Sequence, residues 1–176
     1  YISLTAFTRK SSHEVEYALE ELKLQGMKYL IFDLRGNPGG LLSQAVHTVN
    51  LFVKKGTLVV ETKGRIEDWN RKYYTKNKAK YENLPLVVLT DYGSASASEI
   101  VAGALQDLDR AIVMGERTYG KGLVQQPRAL SYGTHLKITI AKYYIPSGRC
   151  IQAKDYFNKN DDGSAKTVPD SLRLMF

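Results

Sequence analysis

The chain has 176 residues, 43% hydrophobic and 24% charged, with 25 Lys and Arg against 18 Asp and Glu for a formal charge of +7. That length fits one domain with a real core, and the composition excludes a disordered polymer. No apolar run approaches the ~18–20 residues of a membrane-spanning helix, and a single cysteine, Cys150, excludes internal disulfides and multi-thiolate metal sites.

Tyr1-Ile2-Ser3-Leu4-Thr5 has neither an initiator Met nor a basic n-region, so it reads as the interior of a longer product rather than a signal peptide. Ile2, Leu4 and Ala6 alternate with polar residues as a half-buried strand does. Ser11 and Glu14 have capping-box spacing before a helix with the apolar stripe Val15, Ala18, Leu19 and Leu22, which Gly26 stops. Tyr29 to Phe32 is a continuous apolar run, the pattern of a strand covered on both faces. It runs into Asp33-Leu34-Arg35-Gly36-Asn37-Pro38-Gly39-Gly40, a tight irregular loop, and then a helix with Leu42, Ala45, Val46 and Val49 on one face.

Thr57 to Glu61 predicts a strand inside the most basic stretch, Lys54 to Lys80, where nine cations face three acids and only +1 remains elsewhere. Trp69, Tyr73 and Tyr74 among them would suit stacking on bases. No nucleic-acid signature accompanies them, however, and lysine-protected strand edges explain the stretch, so no nucleic-acid partner is expected. Leu86 to Leu89 predicts a buried strand closed by Asp91-Tyr92-Gly93, followed by Ser94-Ala95-Ser96-Ala97-Ser98-Glu99 and a helix facing inward through Ile100, Val101, Ala104, Leu105 and Leu108. A short strand, Ala111 to Met114, leads into the flexible loop Gly115 to Gly122. Two strands then flank Ser131-Tyr132-Gly133-Thr134 as a hairpin. The order is that of an α/β core of strands and crossover helices with an added hairpin region, a plan that places reactive groups at strand ends.

The serines at 94, 96 and 98 fall at or just before a helix N-terminus, where free N–H groups stabilise an anion and the amide after a nucleophile can serve as an oxyanion donor. Small polar residues there are also ordinary helix caps, and spacing alone does not choose among the three. None of the histidines at 13, 47 and 135 lies in a glycine-rich loop, so a Ser-His-Asp arrangement is poorly supported. Lys121, bracketed by Gly120 and Gly122, is the other candidate base, though a lysine serves as one only when neutral and shielded from water. The run Gly115 to Gly122 also approximates a phosphate-binding loop, but Gly122 replaces the required Ser or Thr and no amphipathic helix follows.

Taken together, Asp33 to Gly40, Gly93 to Glu99 and Gly115 to Gly122 closely resemble the carboxyl-terminal processing (tail-specific) serine peptidases, as does Tyr144-Ile145-Pro146-Ser147-Gly148-Arg149. The resemblance covers about Tyr1 to Gln152 as a peptidase core, with 153–176 as a C-terminal arm or the stump of a further segment. It implies a Clp protease/crotonase-like fold and a Ser-Lys dyad that needs no cofactor or metal. It places the nucleophile at Ser96 and the general base at Lys121, with Gln125 orienting the lysine. The oxyanion donors would be the amides of Ala97 and, from the Asn37 to Gly40 turn, Gly39. It further implies protein or peptide substrates with accessible C-termini, a bacterial periplasmic or envelope location, and a PDZ domain that is not visible in this sequence. A non-catalytic ligand-binding module on the same fold is the competing expectation; a binding module has no need of the full Ser-Lys-Gln set.

Overall fold

In a computed structural model, residues 1–169 are described. Four parallel strands form the central sheet in the order β1 (Ile2–Ser3), β2 (Leu30–Asp33), β5 (Leu86–Thr90), β6 (Ile112–Gly115). Three helices, α1 (Ser11–Leu24), α2 (Leu42–Asn50) and α3 (Ala97–Asp107), follow β1, β2 and β5 as crossovers. The core joins Phe7, Leu19, Phe32, Phe52, Ile100 and Leu105, each at most 1% exposed. α3 is the most enclosed helix, buried from Ala97 through Leu105, so the element that carries the serine loop is fixed on every side.

Three local expectations are corrected. The first strand is two residues long, because after Leu4 the chain turns to bridge Phe7 to Gly40. α1 is capped by Lys10 rather than by a Ser11–Glu14 box. Ser11 lies inside the helix, its hydroxyl accepting from the Thr8 amide at 2.6 Å and donating to the Ala6 carbonyl at 3.0 Å. The Gly26 stop is found: at φ 86° it lets the Gly26 and Met27 amides bond the Lys23 and Leu22 carbonyls, closing the helix end. The third correction concerns the sheet, which is covered on one face only. Ile31, Ile112 and Met114 share the other face and are 43%, 65% and 53% exposed. A continuous apolar run does not distinguish a strand covered twice from one covered once.

A second, antiparallel sheet has the order β4 (Arg71–Tyr74), β3 (Leu58–Lys63), β8 (His135–Tyr144), β7 (Leu123–Ala129). β7 and β8 form the expected hairpin, closed by positive φ angles at Tyr132 and Gly133. The basic stretch builds β3 and β4 and spends part of its charge locally. Lys80 pairs with Glu16 and Glu20 of α1 at 2.6 and 2.9 Å, and Lys54 with Glu82 at 3.6 Å. Arg128 stacks over Trp69. Within the stretch expected as a C-terminal arm or the stump of a further segment, β9 (Lys154–Lys159) and β10 (Ala165–Thr167) form a small hairpin; 170–176 of it lie outside the described residues.

Candidate active site

The C-terminal ends of the parallel strands carry three loops bound to one another: 34–40 after β2, 91–96 after β5 and 116–122 after β6. Asn37, fully buried, is the centre of the first. Its Nδ2 donates to the Leu4 carbonyl at 2.7 Å, and its own carbonyl accepts the Ala95 amide and the Ser98 hydroxyl, both at 2.9 Å. The Gly36 amide reaches Asp91 Oδ1 at 2.8 Å, and the Tyr119 amide reaches the Ser94 carbonyl at 3.0 Å. At the root of the first loop Asp33, 4% exposed, is gripped by Arg35 (Nη2 to Oδ2, 2.7 Å) and accepts the Tyr1 hydroxyl at 2.5 Å. The Arg35 guanidinium, above all, holds the Asp33 carboxyl down to about 2.

This network distinguishes the three serines that spacing left equivalent. Ser94 and Ser98 are wholly buried, their hydroxyls donating to the Leu34 and Asn37 carbonyls at 2.8 and 2.9 Å. Ser96 is only partly buried. It caps α3 with φ 56° and ψ −111°, a conformation costly for a residue with a side chain and typical of a strained nucleophile turn. Gly39 lies directly against this turn: a Cβ on it would sit 2.5 Å from the Ala95 carbonyl oxygen and 2.8 Å from both the Ala97 nitrogen and Ser96 Cβ. Only glycine permits that approach, and its φ of 96° requires glycine as well. Ala97, at the first turn of α3, therefore has its amide beside Gly39, while the Gly39 amide itself donates to Asn37 Oδ1 at 2.9 Å.

Sequence reasoning missed the residue that joins the two halves of the site. Glu99, fully buried, accepts four hydrogen bonds. Oε2 takes the amides of Ser96 at 2.7 Å and Lys121 at 2.8 Å; Oε1 takes the Gly120 amide at 2.6 Å and the Thr118 hydroxyl at 2.7 Å. Burial pushes its carboxyl pKa up, and the four donors, Thr118 first, oppose that. A Ser-x-x-Glu spacing at 96–99 was the available signal, but it reads as a helix cap and says nothing of a distant loop.

Gln152 was missed as well. Its Oε1 accepts the Gly122 amide at 2.8 Å while Nε2 donates to the Lys154 carbonyl at 3.0 Å. The Gly120 carbonyl takes the Ala153 amide at 3.0 Å and the Gly122 carbonyl the Tyr143 amide at 2.8 Å. The backbone around Lys121 is thus fastened on both sides while its side chain is exposed in a cleft of about 990 Å³. Gln125 lines the same cleft, its amide donating to Thr139 Oγ1 at 3.3 Å. The structure brings the backbones of Ser96 and Lys121 onto one carboxylate oxygen. Among the described residues it forms no hydrogen bond between the Lys121 ammonium and the Ser96 hydroxyl, nor between Lys121 and Gln125. The histidines at 13, 47 and 135 are all exposed.

A parallel α/β core with a strained serine at the start of its most buried helix, and a glycine-bracketed lysine whose backbone is tied to it, defines the class: a Clp protease-like core. Peptidase family S41 matches residues 1–159, and the chain belongs to that family, which includes the carboxyl-terminal-processing serine proteases. It is 44% identical over 148 residues to the carboxyl-terminal-processing protease of Synechocystis sp., covering 83% of this chain and 34% of that one. With carboxyl-terminal-processing peptidase 3 of Arabidopsis thaliana it shares 42% over 147 residues, covering 84% and 28%. It therefore spans about a third of these relatives. The solved photosystem II D1 C-terminal processing protease superposes with a TM-score of 0.78 at 34% identity, over 98% of this chain and 41% of that one. Mature CPAF complexed with lactacystin, at 13% identity and TM-score 0.66 over 85% and 44%, shares the fold.

Proposed function

We propose that this chain is the catalytic core of a serine endopeptidase that uses a Ser96–Lys121 dyad to cut proteins near their C-termini. The observation that carries the reading is the Glu99 clamp, which holds a strained, accessible serine and a lone lysine on one carboxylate. Ser96 Oγ attacks the scissile carbonyl as Lys121 Nζ takes its proton. The oxyanion forms against the Ala97 amide at the positive end of α3, and Lys121 then returns the proton to the departing amine. The resulting ester is hydrolysed by water that Lys121 deprotonates. Gly39 becomes the second oxyanion donor when its amide gives up or shares Asn37 Oδ1, and Gln125 orients the lysine after leaving Thr139. Substrate filling the cleft excludes water from Lys121, the condition under which a lysine acts as base. That the substrates are exported or envelope proteins with accessible C-termini rests on the family resemblance.

The test is cleavage of a tagged unstructured protein by the full-length enzyme. Ser96→Ala and Lys121→Ala each abolish turnover and leave the fold intact. Ser94→Ala and Ser98→Ala lose about 1–2 kcal/mol of stability from buried hydrogen bonds but retain turnover per folded molecule. Equal loss of chemistry at all three serines refutes the assignment.

A further inference from the structure

Strand β8 ends in Tyr144-Ile145-Pro146-Ser147-Gly148-Arg149, a segment singled out in the sequence to which the proposed chemistry gives no task. The turn is tight. The Gly148 amide bonds the Ile145 carbonyl at 2.8 Å, the Ile145 amide bonds the Arg149 carbonyl at 3.0 Å, and Gly148 takes a φ of 84°. It presents two groups to the last turn of α3. The Ser147 amide donates to Asp107 Oδ2 at 2.9 Å, and Arg149 Nη2 donates to Asp107 Oδ1 and, at 2.9 Å, to Gln106 Oε1. The Asp107 side chain is 3% exposed and sits at the negative end of the helix, where an anion is unfavourable, so the guanidinium is the cation that stabilises it there. Just after Arg149 comes the strip that fastens the Lys121 loop: Gln152 accepts the Gly122 amide, and the Ala153 amide donates to the Gly120 carbonyl.

At its other end α3 carries Ser96 and, through Glu99, the amides of Gly120 and Lys121. The bonds therefore close a ring. It runs from Ser96 and Glu99 to the Lys121 loop, then to Gln152 and Ala153, Arg149 and Asp107, and back along α3, a rod about 16 Å long. We propose that Arg149 and Asp107 are positioning residues for the dyad: by gripping the C-terminal end of α3, they set where the Lys121 loop lies along the helix relative to Ser96. The proposal rests on the peptidase reading. Neither residue lines the cleft that holds Lys121, so both act through the strip 150–153 and the loop it supports. A loop fastened to one rigid rod at both ends cannot slide along it, and sliding is the motion that would part lysine from serine.

The experiment compares full-length wild type, Arg149→Ala, Arg149→Lys, Asp107→Asn and Arg149→Ala/Asp107→Asn. Cleavage of a tagged unstructured protein gives kcat and KM per folded molecule, and hydrogen exchange follows the amides of Gly120, Lys121 and Gly122. Expected in Arg149→Ala is a kcat lowered about tenfold, as for a shift of roughly half an ångström, with KM within about twofold of wild type. The double variant is no slower than the slower single, since both changes undo one fastening. Arg149→Lys, which keeps a cation on Asp107, recovers part of the rate. The three loop amides exchange at least about tenfold faster in Arg149→Ala, while those of β2 stay slow. Unchanged kcat in Arg149→Ala and Asp107→Asn with only a lowered urea midpoint overturns the inference, as does a raised KM at full kcat. If Arg149→Ala does not fold, Asp107→Asn, which leaves no unpaired buried charge, decides by the same readouts. Loop amides as slow in the variant as in wild type sink the inference and leave the peptidase reading standing. No cleavage by wild type, with exchange still quickened in the variant, sinks the peptidase reading and leaves the fastening standing.

Discussion

Replacing Glu99 with Gln tests the clamp atom by atom. The wild-type carboxylate presents acceptors only, and four donors point at it. A glutamine keeps the shape but brings an NH2 group that must face one pair of them. Facing Ser96 and Lys121, it opposes two backbone amides that cannot reverse. Facing Gly120 and Thr118, it opposes one amide, while the Thr118 hydroxyl can rotate and accept. The second orientation wins, leaving one donor unsatisfied, so Glu99→Gln should cost about 2 kcal/mol. Glu99→Ala orphans all four donors and opens a cavity, at roughly 4–6 kcal/mol, a large share of a domain's stability. Adding Thr118→Val to Glu99→Gln removes the rescuing acceptor, so the pair should cost about 1 kcal/mol more than the sum of the single changes.

Urea midpoints measure these losses, and single-turnover cleavage measures the loss of alignment, about 10² in rate for a loop displaced by ~1 Å. Stability and activity should also respond oppositely to acid. Because burial raises the Glu99 carboxyl, the folded state prefers its protonated form, and this group's contribution to stability grows as pH falls through its folded pKa. Activity falls over the same range as the clamp loses an acceptor. Equal stabilities of the Gln and Ala variants, or a Gln variant within ~0.5 kcal/mol of wild type, would refute a clamp of four donors on one charge.

Gly39→Ala should leave a folded protein with turnover reduced at least about 10²-fold, because its Cβ displaces the Ser96 turn; unchanged single-turnover kinetics would contradict the close approach. Gln152→Ala frees the Gly122 amide and should lower kcat more than it raises KM, with a stability loss of about 1–2 kcal/mol, whereas Gln152→Glu, which keeps the acceptor, should recover part of the rate. The Asp33–Arg35 pair predicts an acid-sensitive stability. With Asp33 held at about 2 against an ordinary 3.8, its contribution is fully present above about pH 4 and lost as pH falls toward 2. Since Arg35 is half exposed, that contribution is about 1–2 kcal/mol, and Arg35→Ala should remove the larger part of it while the Tyr1 hydroxyl and the residue-35 amide keep the rest, read as a flatter acid limb in urea midpoints from pH 5 to 2.

How far the sequence carried the reading depended on the range of the cause. Periodicity located α2 and α3, and Gly26 marked the end of α1, because each signal lies within one or two turns of its effect. The three glycine-rich loops were legible for the same reason. What binds them together was not: Glu99 reaches across 22 positions to the Lys121 amide, and Gln152 back across 30 to that of Gly122. A carboxylate that caps its own helix and clamps a distant loop looks, locally, like a cap alone. Conversely, Ser11 and Glu14 had the spacing of a box, but the Ser11 hydroxyl found nearer partners at Thr8 and Ala6.

The cross-bonding of the three loops changes what a labelling experiment should see. Loop amides ordinarily exchange with solvent deuterium first, because they open without disturbing the core. Here the amides of Gly36, Ala95, Tyr119, Gly120, Lys121 and Gly122 are each held by a residue of another loop or strand connection, so no one of these loops can open alone. Their deuterium uptake should be as slow as that of β2 and β5, and should quicken together when any one bond of the set is removed.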